Sequence, residues 1–126
     1  MAIRVAAAVI EREGAVLVTR RLAGTHLAGL WEFPGGKCEP SETVQACVVR
    51  ELREELDVHA APGATLLVTR HTYPAKTVEL HFIACAIEGE PVPQQGQEMQ
   101  WVAREALDAL EFPEADAALI ALLRSR

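Results

Sequence analysis

The stretch "GGKCEPSETVQACVVRELREELDV", residues 35–58, combines a helical pattern with a crowding of like charges. At roughly 100° per residue, its apolar side chains fall on one flank of a helix, which we predict over Thr43–Leu56. This apolar flank consists of Val48, Leu52 and Leu56. Three carboxylates cluster on the adjoining face, those of Glu51, Glu54 and Glu55. The stretch therefore places a small acidic surface directly beside the hydrophobic core.

The acidic cluster has two interpretations. Like charges three or four residues apart cost roughly a few tenths of a kcal/mol on an exposed helix, so a solvated face neutralised by Arg50 and Arg53 is affordable. Alternatively, carboxylates beside a partly buried surface bind divalent cations, which remove the repulsion and hold a polyphosphate. Gly35-Gly36 can bring backbone groups close to a ligand, and Arg50 can hold a catalytic carboxylate in place. These two features favour a phosphate site.

The rest of the chain predicts one α/β (α+β) domain over residues 1–126, with helices layered against a sheet. "IRVAAAVI" and "AVLVTR" are typical of strands and, separated by Glu11–Gly14, predict a hairpin. Pro34-Gly35-Gly36 predicts a loop after the short strand "WEF". Further strands are predicted in "TLLVTRHTY", "TVELHFIACAI" and Met99–Val102. A short turn is expected in Arg104–Leu110, and a last helix in "EADAALIALLRSR" after Pro113.

Composition excludes several classes of function. The net charge of −6 and the absence of a basic run argue against nucleic-acid binding. The longest early apolar run, in residues 5–10, is too short for a membrane helix or a signal peptide. Three cysteines without paired spacing, Cys38, Cys47 and Cys85, indicate reduced thiols. We therefore expect a cytoplasmic protein with no membrane partner, as a monomer or weak homodimer.

The stretch also carries a family signature in fixed register: Gly36, Glu42, Arg50, Glu51, Leu52, Glu54, Glu55 and Val58. In these residues the chain resembles the Nudix hydrolases. The order of "TRR", "WEFPGGK", "YP" and "FPEAD" further resembles the MutT-like branch, which hydrolyses nucleoside triphosphates. The resemblance implies the Nudix fold, an α/β/α sandwich with a central mixed sheet. One position departs, because Asp57 stands where the family has the Gly that readily turns left-handed.

By resemblance, the metal ligands are the carbonyl of Gly35 and the carboxylates of Glu51, Glu54, Glu55 and Glu98, and the cation is Mg²⁺, with Mn²⁺ as a possible substitute. Cations stop the carboxylates from repelling a triphosphate and polarise the attacking water. The general base is either Glu51, ordered by Arg50, or Glu98, and we favour Glu51. Glu42 has a structural role at the helix entry, where Ser41 can cap free N–H groups.

Substrate contacts follow from the same resemblance. Arg20 and Arg21 alternate across a strand, so at most one of them should face the site. By resemblance Arg21 is the expected phosphate contact, and the alternative is an ordinary charge on an edge strand. An apolar base pocket is expected from Ile3 or Val5, Phe33, Tyr73 and Val78, with Asp116 as its polar group. Ordinary core packing, and for Asp116 a place in the first helical turn, are the alternatives.

Asp116 bears on the choice of base. The 8-oxoguanine-specific relatives have Asn at this position, whereas an ionised Asp only accepts hydrogen bonds. Such a group suits the N1–H and 2-amino group of guanine or the 4-amino group of cytosine. We expect hydrolysis of triphosphates such as 8-oxo-dGTP to monophosphate and pyrophosphate. The alternatives are a CTP or 5-methyl-dCTP pyrophosphohydrolase, and a nucleotide-binding module without hydrolysis.

Overall fold

The computed structural model describes residues 2–126 and contains, in that range, eight strands and two α-helices. The strands are β1 (Ala2–Val9), β2 (Glu11–Arg12), β3 (Ala15–Arg20), β4 (Trp31–Glu32), β5 (Gly35–Lys37), β6 (His59–Tyr73), β7 (Lys76–Glu88) and β8 (Met99–Ala103). The helices are α1 (Val44–Leu56) and α2 (Ala117–Arg124), with 3-10 turns at Arg104–Ala109 and Glu114–Asp116. Both predicted helices and the predicted short turn are confirmed to within a few residues.

Two further observations concern the predicted thiols and the predicted lack of a membrane span. The three cysteines are buried and free, as their spacing predicts. Over residues 2–126, no helix has both the length and the apolar character needed to cross a membrane.

A mixed sheet lies between the two helices. Its strand order is β5-β1-β7-β6, with β1 parallel to β7 and antiparallel to β5. Leu52 and Leu56 of α1 pack in one core cluster with Ile83 of β7, whereas Leu119 and Leu123 of α2 pack in the other. This arrangement confirms the predicted α/β/α sandwich with a central mixed sheet. A second sheet, with β3 paired to β2, β4 and β8, extends the layers.

Strand β1 explains why the predicted hairpin with β3 is wrong. Ala6 and Ala8 face the cluster of α1, while Ala7 and Val9 face that of α2, so both faces of the strand are covered. Its two edges are occupied by β5 and β7, which leaves no edge for β3. The chain instead leaves the first sheet near Ile10 and forms a short β2–β3 hairpin in the second. An apolar run buried on both faces is typical of a central strand with a parallel neighbour.

Two local predictions before α1 are also corrected. The Gly-Gly segment is strand β5 rather than a loop, and it pairs with β1 in the register Ala7↔Gly35. A Cβ atom at Gly35 would lie 2.8 Å from the Cα of Ala7, so the close strand pairing requires glycine. The helix cap is Thr43 rather than Ser41, because the Thr43 side chain accepts a hydrogen bond from the backbone N–H of Ala46 at 3.1 Å.

Asp57 ends α1 in the left-handed conformation that the family Gly predicts. Its φ is 54° and its ψ is 43°, and its N–H donates to the carbonyl of Arg53. An L-residue with a Cβ atom adopts this conformation at a cost of roughly 1 kcal/mol, which Asp tolerates better than most.

We predict that Asp57→Gly raises the free energy of unfolding by about 0.5–1 kcal/mol, since Gly relieves the left-handed strain. Asp57→Ala keeps the strain and loses the polar side chain, so it lowers the free energy of unfolding. Urea denaturation of the three proteins tests the order Gly, Asp, Ala. Equal stabilities for Gly and Ala would show that backbone conformation at this position costs nothing.

Candidate active site

The three glutamates of α1 lie at increasing depth along the edge where this helix packs on β5. The side chain of Glu54 is 58% exposed and that of Glu51 is 16% exposed. Glu55 reaches the strand itself, because its Oε2 accepts a hydrogen bond from the Gly35 N–H at 3.1 Å. The carboxylates of Glu54, Glu51 and Glu55 therefore form a row that begins in solvent at Glu54 and ends against β5 at Glu55.

Arg50 holds this row in place. Its Nε and one terminal nitrogen donate to the two carboxylate oxygens of Glu42, at 2.7 and 2.9 Å. Its other terminal nitrogen donates to Glu51 at 3.1 Å and to Glu54 at 3.3 Å. Hydrogen bonds from Arg50, and then from the Glu39 backbone, lower the pKa of Glu42 to about 2. Glu42 thus anchors Arg50, which agrees with a structural role, and Arg50 orients Glu51.

Gly36 lies directly against the carboxylate of Glu51. A Cβ atom at this position would overlap the Glu51 carboxylate. Any other residue would displace that carboxylate or the strand. The second glycine of the segment therefore makes the space in which the Glu51 side chain lies.

Burial raises the pKa of two glutamates of the helix, Glu51 and Glu55. It raises the pKa of Glu55 to about 8, and the nearby charges of Glu32 and Glu51 act in the same direction. Burial also raises the pKa of Glu51, which the Arg50 charge partly opposes. The arginine charges near these two groups, Arg50 for Glu51 and Arg21 for Glu55, offset only part of the effect of burial.

Glu32 is a site residue that the sequence analysis did not identify. Its carboxylate accepts a hydrogen bond from Arg21 at 2.8 Å, and burial raises its pKa. Arg21 is also fixed by a hydrogen bond to the carbonyl of His26, and it lines the same cavity as the other residues of the predicted base pocket. The only signal in the sequence was an acidic residue between two aromatic residues in a short strand.

The structure does not bring Glu98 to the helix carboxylates. Its side chain is 60% exposed and pairs with Arg20 at 3.2 Å. Gln97 takes the inner position instead: it is buried, and its Nε2 donates to the carbonyl of Glu55 at 3.3 Å. The loop before β8 was too irregular for its sequence to show which of the two neighbours points inward.

The predicted base-pocket residues surround one cavity of about 370 Å³. Its apolar wall includes Ile3, Val5, Phe33, Tyr73 and Val78, and its polar lining includes Arg21, Glu32 and Asp116. The Phe33 ring is itself fixed, since it stacks on Phe112 with centroids 5.3 Å apart. A mostly apolar cavity with few polar groups is the usual form of a small-molecule site. We call this cavity the nucleoside pocket.

Asp116 lies at this pocket with 6% of its surface exposed. Burial raises its pKa to about 7, and the charge of Glu32 adds to the effect while Arg21 opposes it. The expectation of a fully ionised Asp116 therefore needs correction, because at neutral pH the neutral acid and the carboxylate are both populated. The neutral acid can donate as well as accept a hydrogen bond.

The donor chemistry fits a hard divalent cation. Three carboxylates and the Gly35 backbone supply the oxygen ligands that Mg²⁺ prefers. A cation bound beside Glu55 would offset the desolvation and the neighbouring charges that raise the pKa of this group. Within the described residues, no group of three His, Cys, Asp or Glu side chains is already close enough to hold a metal ion.

We predict that Glu55→Gln removes a pH-dependent destabilisation of the metal-free protein. Between the ordinary pKa of 4.5 and about 8, folded Glu55 keeps a proton that the unfolded chain has lost, so stability falls as pH rises through this window. The gain in Tm of the variant over the wild type should therefore grow with pH across the window. Thermal unfolding in chelator measures it, with Glu54→Gln on the exposed part of the row as the matched control. The same pH slope in the wild type and Glu55→Gln would contradict the account.

Comparison with known proteins agrees with this geometry. The family of NUDIX domains matches residues 5–122. An 8-oxo-dGTP diphosphatase of Haemophilus influenzae is 40% identical over 120 residues, which cover 94% of this chain and 88% of the relative. A CTP pyrophosphohydrolase of Escherichia coli is 38% identical over 116 residues, which cover 91% and 84% of the two chains.

A solved structure of a MutT protein has the same fold as this chain. The crystal structure of the MutT protein from Methanosarcina mazei superposes with a TM-score of 0.87 at 25% identity, over 98% of this chain and 93% of that one. The family match and the two sequence relatives each span most of the chain, and the superposition shows that the similarity extends to the three-dimensional structure. The chain therefore belongs to the Nudix family and is a pyrophosphohydrolase of its MutT-like branch.

Proposed function

We propose that the protein is a Mg²⁺-dependent nucleoside triphosphate pyrophosphohydrolase that removes oxidised purine nucleotides such as 8-oxo-dGTP. One observation carries this proposal. The nucleoside pocket and the cavity beside Glu55 share a boundary formed by Arg21, Glu32 and Gly35. A base bound in the pocket would therefore have its phosphates directed past Arg21 toward the carboxylates of α1.

Each residue of the site would have a separate role in the reaction. Glu51, Glu54 and Glu55 would hold the cation, which supplies charge neutralisation of the triphosphate and activation of water when bound. Arg21 would contact a phosphate, since its guanidinium is held by Glu32 and by the His26 carbonyl. Glu51, kept in position by Arg50, would take the proton of the water that attacks the β-phosphorus. Monophosphate and pyrophosphate are then the products.

The raised pKa of Glu51 supports its assignment as the base. An ordinary carboxylate is a poor proton acceptor at neutral pH, and burial makes this one more basic. Glu98 has an exposed side chain paired with Arg20, so the geometry gives less support to the alternative base.

The proposed substrate rests on Asp116 and on a relative. Ionised Asp116 can accept hydrogen bonds from both the N1–H and the 2-amino group of a guanine-type base. The apolar wall of the pocket offers the area that a purine needs. The relative from Haemophilus influenzae is named an 8-oxo-dGTP diphosphatase.

A second candidate, CTP or 5-methyl-dCTP, is favoured by the other protonation state. Neutral Asp116 can donate to N3 of cytosine and accept from its 4-amino group, whereas ionised Asp116 cannot donate to N3. Burial populates this state near neutral pH. The relative from Escherichia coli is named a CTP pyrophosphohydrolase.

The test is a panel of 8-oxo-dGTP, dGTP, CTP, dCTP and 5-methyl-dCTP with Mg²⁺, in which kcat/KM and the release of pyrophosphate or orthophosphate are measured. We expect the highest kcat/KM for 8-oxo-dGTP, with pyrophosphate as product. A higher kcat/KM for the cytosine nucleotides would establish the second candidate. Orthophosphate release, or no turnover of any member, would overturn the proposal.

The same panel one pH unit below and one unit above the Asp116 pKa of about 7 tests the role of this residue. Rising pH ionises Asp116, so the ratio of kcat/KM for 8-oxo-dGTP to that for dCTP should rise several-fold. The ratio cancels the pH dependence of the chemical step. Asp116→Asn, which does not titrate, should make the ratio independent of pH. A slope that survives in this variant would show that another group selects the base.

A further inference from the structure

Arg4 of β1 binds a short turn that precedes helix α1. Its Nη2 lies within hydrogen-bonding distance of three backbone carbonyls, those of Glu39 at 3.0 Å, Pro40 at 3.4 Å and Glu42 at 2.7 Å. The cross-strand neighbour of Arg4 is Glu79, whose carboxylate pairs with two other side chains instead. Within the described residues Arg4 has no carboxylate partner, so its guanidinium binds the turn alone.

The bound segment, residues 39–42, is closed by its own hydrogen bonds. The Glu42 N–H donates to the Glu39 carbonyl at 3.0 Å, and the Glu39 N–H donates to Oε1 of Glu42 at 3.0 Å. Immediately before the turn, the Cys38 N–H donates to the backbone carbonyl of Arg4 at 2.9 Å. Arg4 therefore holds this segment with its backbone on one side and with its side chain on the other. We call residues 39–42 the Glu42 turn.

The Glu42 turn carries the anchor of Arg50. The Glu42 carboxylate accepts two hydrogen bonds from the Arg50 guanidinium, at 2.7 and 2.9 Å. The other terminal nitrogen of Arg50 donates to Glu51 at 3.1 Å. A shift of the turn would therefore move the carboxylate that holds Arg50, and with it the group that orients Glu51.

Arg4 lies on the face of β1 opposite to the nucleoside pocket. Its neighbours Ile3 and Val5 line that pocket, and successive side chains of a strand point to opposite faces. A substitution of Arg4 therefore leaves the apolar wall in place. The effect of Arg4 on the chemical step can thus be measured separately from recognition of the base.

We propose that Arg4 is a positioning residue for the hydrolytic reaction. It fixes the Glu42 turn, the Glu42 carboxylate fixes Arg50, and Arg50 orients Glu51. The inference rests on the proposed function, because it takes Glu51 to act in the chemical step. Arg4 itself touches neither the substrate nor the cation. It lies outside the signature of residues 36–58, and its role follows from contacts across more than thirty residues of the chain.

The experiment compares Arg4→Met with Arg12→Met. Met keeps an unbranched side chain of similar reach and removes every N–H donor. Arg12 of β2 is the matched control, because it ties down a different loop through Glu90 at 2.9 Å and the Gly89 carbonyl at 3.5 Å. Both variants lose hydrogen bonds to a loop, so both should lower Tm. Arg4→Lys keeps three N–H donors and tests rescue, and Arg4→Gln is a second loss variant in case Arg4→Met does not fold.

The kinetic measurement uses the nucleoside triphosphate with the highest kcat/KM in the panel, at saturating Mg²⁺. We expect Arg4→Met to lower kcat about tenfold with KM unchanged, because a misplaced base weakens the transition state and not the binding of the nucleoside. Arg12→Met should keep the kcat of the wild type, and Arg4→Lys should recover most of the loss. A wild-type kcat in Arg4→Met would overturn the inference. So would a higher KM with unchanged kcat, which would place the effect of Arg4 in substrate binding.

The route through Glu42 is tested by a double-mutant cycle. In the Glu42→Gln background the anchor of Arg50 is already weakened, so adding Arg4→Met should lower kcat by less than about twofold. A second loss of about tenfold in this background would show that Arg4 acts by another route and would contradict the inference.

The Nε–H of Arg50 provides a readout that needs no turnover. It donates to Glu42 at 2.7 Å, so its ¹H–¹⁵N signal should be sharp and should exchange slowly with solvent in the metal-free wild type. Its absence in Arg50→Lys assigns the signal. Arg12→Met should keep this signal, whereas Arg4→Met should broaden it or lose it. An unchanged signal in Arg4→Met would overturn the inference.

The proposed function and the role of Arg4 fail in different ways. If the wild type turns over no nucleoside triphosphate, the proposed function itself is wrong. If the wild type is active and Arg4→Met keeps both the wild-type kcat and the Arg50 signal, only the positioning role of Arg4 is wrong.

Discussion

The rest of the site depends on one interaction, the hydrogen bond that the backbone N–H of Gly35 in β5 donates to the Glu55 carboxylate. A half-buried carboxylate that accepts a single backbone N–H is poorly hydrated, and desolvation raises its pKa to about 8. Two more glutamates lie within one turn of the same helix. The proposed divalent cation, bound between the three carboxylates, would remove this electrostatic cost.

The surrounding structure keeps this row of charges in place without neutralising it completely. Arg50 donates two hydrogen bonds to Glu42, which lies outside the row, and contacts Glu51 and Glu54 with its other terminal nitrogen. Arg21 is likewise committed to Glu32. Each arginine is thus fixed by a carboxylate that is not a proposed metal ligand. The arginines orient the site while the proposed ligands stay available, which is the division that a cation-dependent hydrolase needs.

Much of the fold could be predicted from the sequence because the periodic segments are long. Helix α1 shows three apolar residues at regular spacing, and the alternation in β7 is equally clear. The prediction of a β1–β3 hairpin is wrong because the sequence of a strand buried on both faces does not differ from that of any other apolar run. The partners of β1 are decided by the positions of β5 and β7 in the folded protein. The prediction of a loop at Pro34-Gly35-Gly36 is wrong for a related reason, because the glycines of β5 serve close packing, which is a tertiary property.

The residues of the proposed site likewise fall into those that the sequence predicts and those that only the structure shows. The helix ligands and Arg50 follow from a contiguous signature, and the pocket residues from the order of short motifs. Glu32 and Gln97 could not be found, since each is identified only by a hydrogen bond to a residue on another segment of the chain. The protonation of Asp116 was also out of reach, because the ordinary pKa of an aspartate changes only with its surroundings in the folded protein.

The central claim is that the carboxylates of α1 form a divalent cation site. Binding of Mn²⁺ to the protein without nucleotide, followed by electron paramagnetic resonance, tests it most directly, since the free ion and the bound ion give separate signals. The account predicts that the wild type binds at least one Mn²⁺, that Mg²⁺ displaces it, and that Glu54→Gln/Glu55→Gln loses this binding. Mn²⁺ binding by the double variant with the affinity of the wild type would contradict the account.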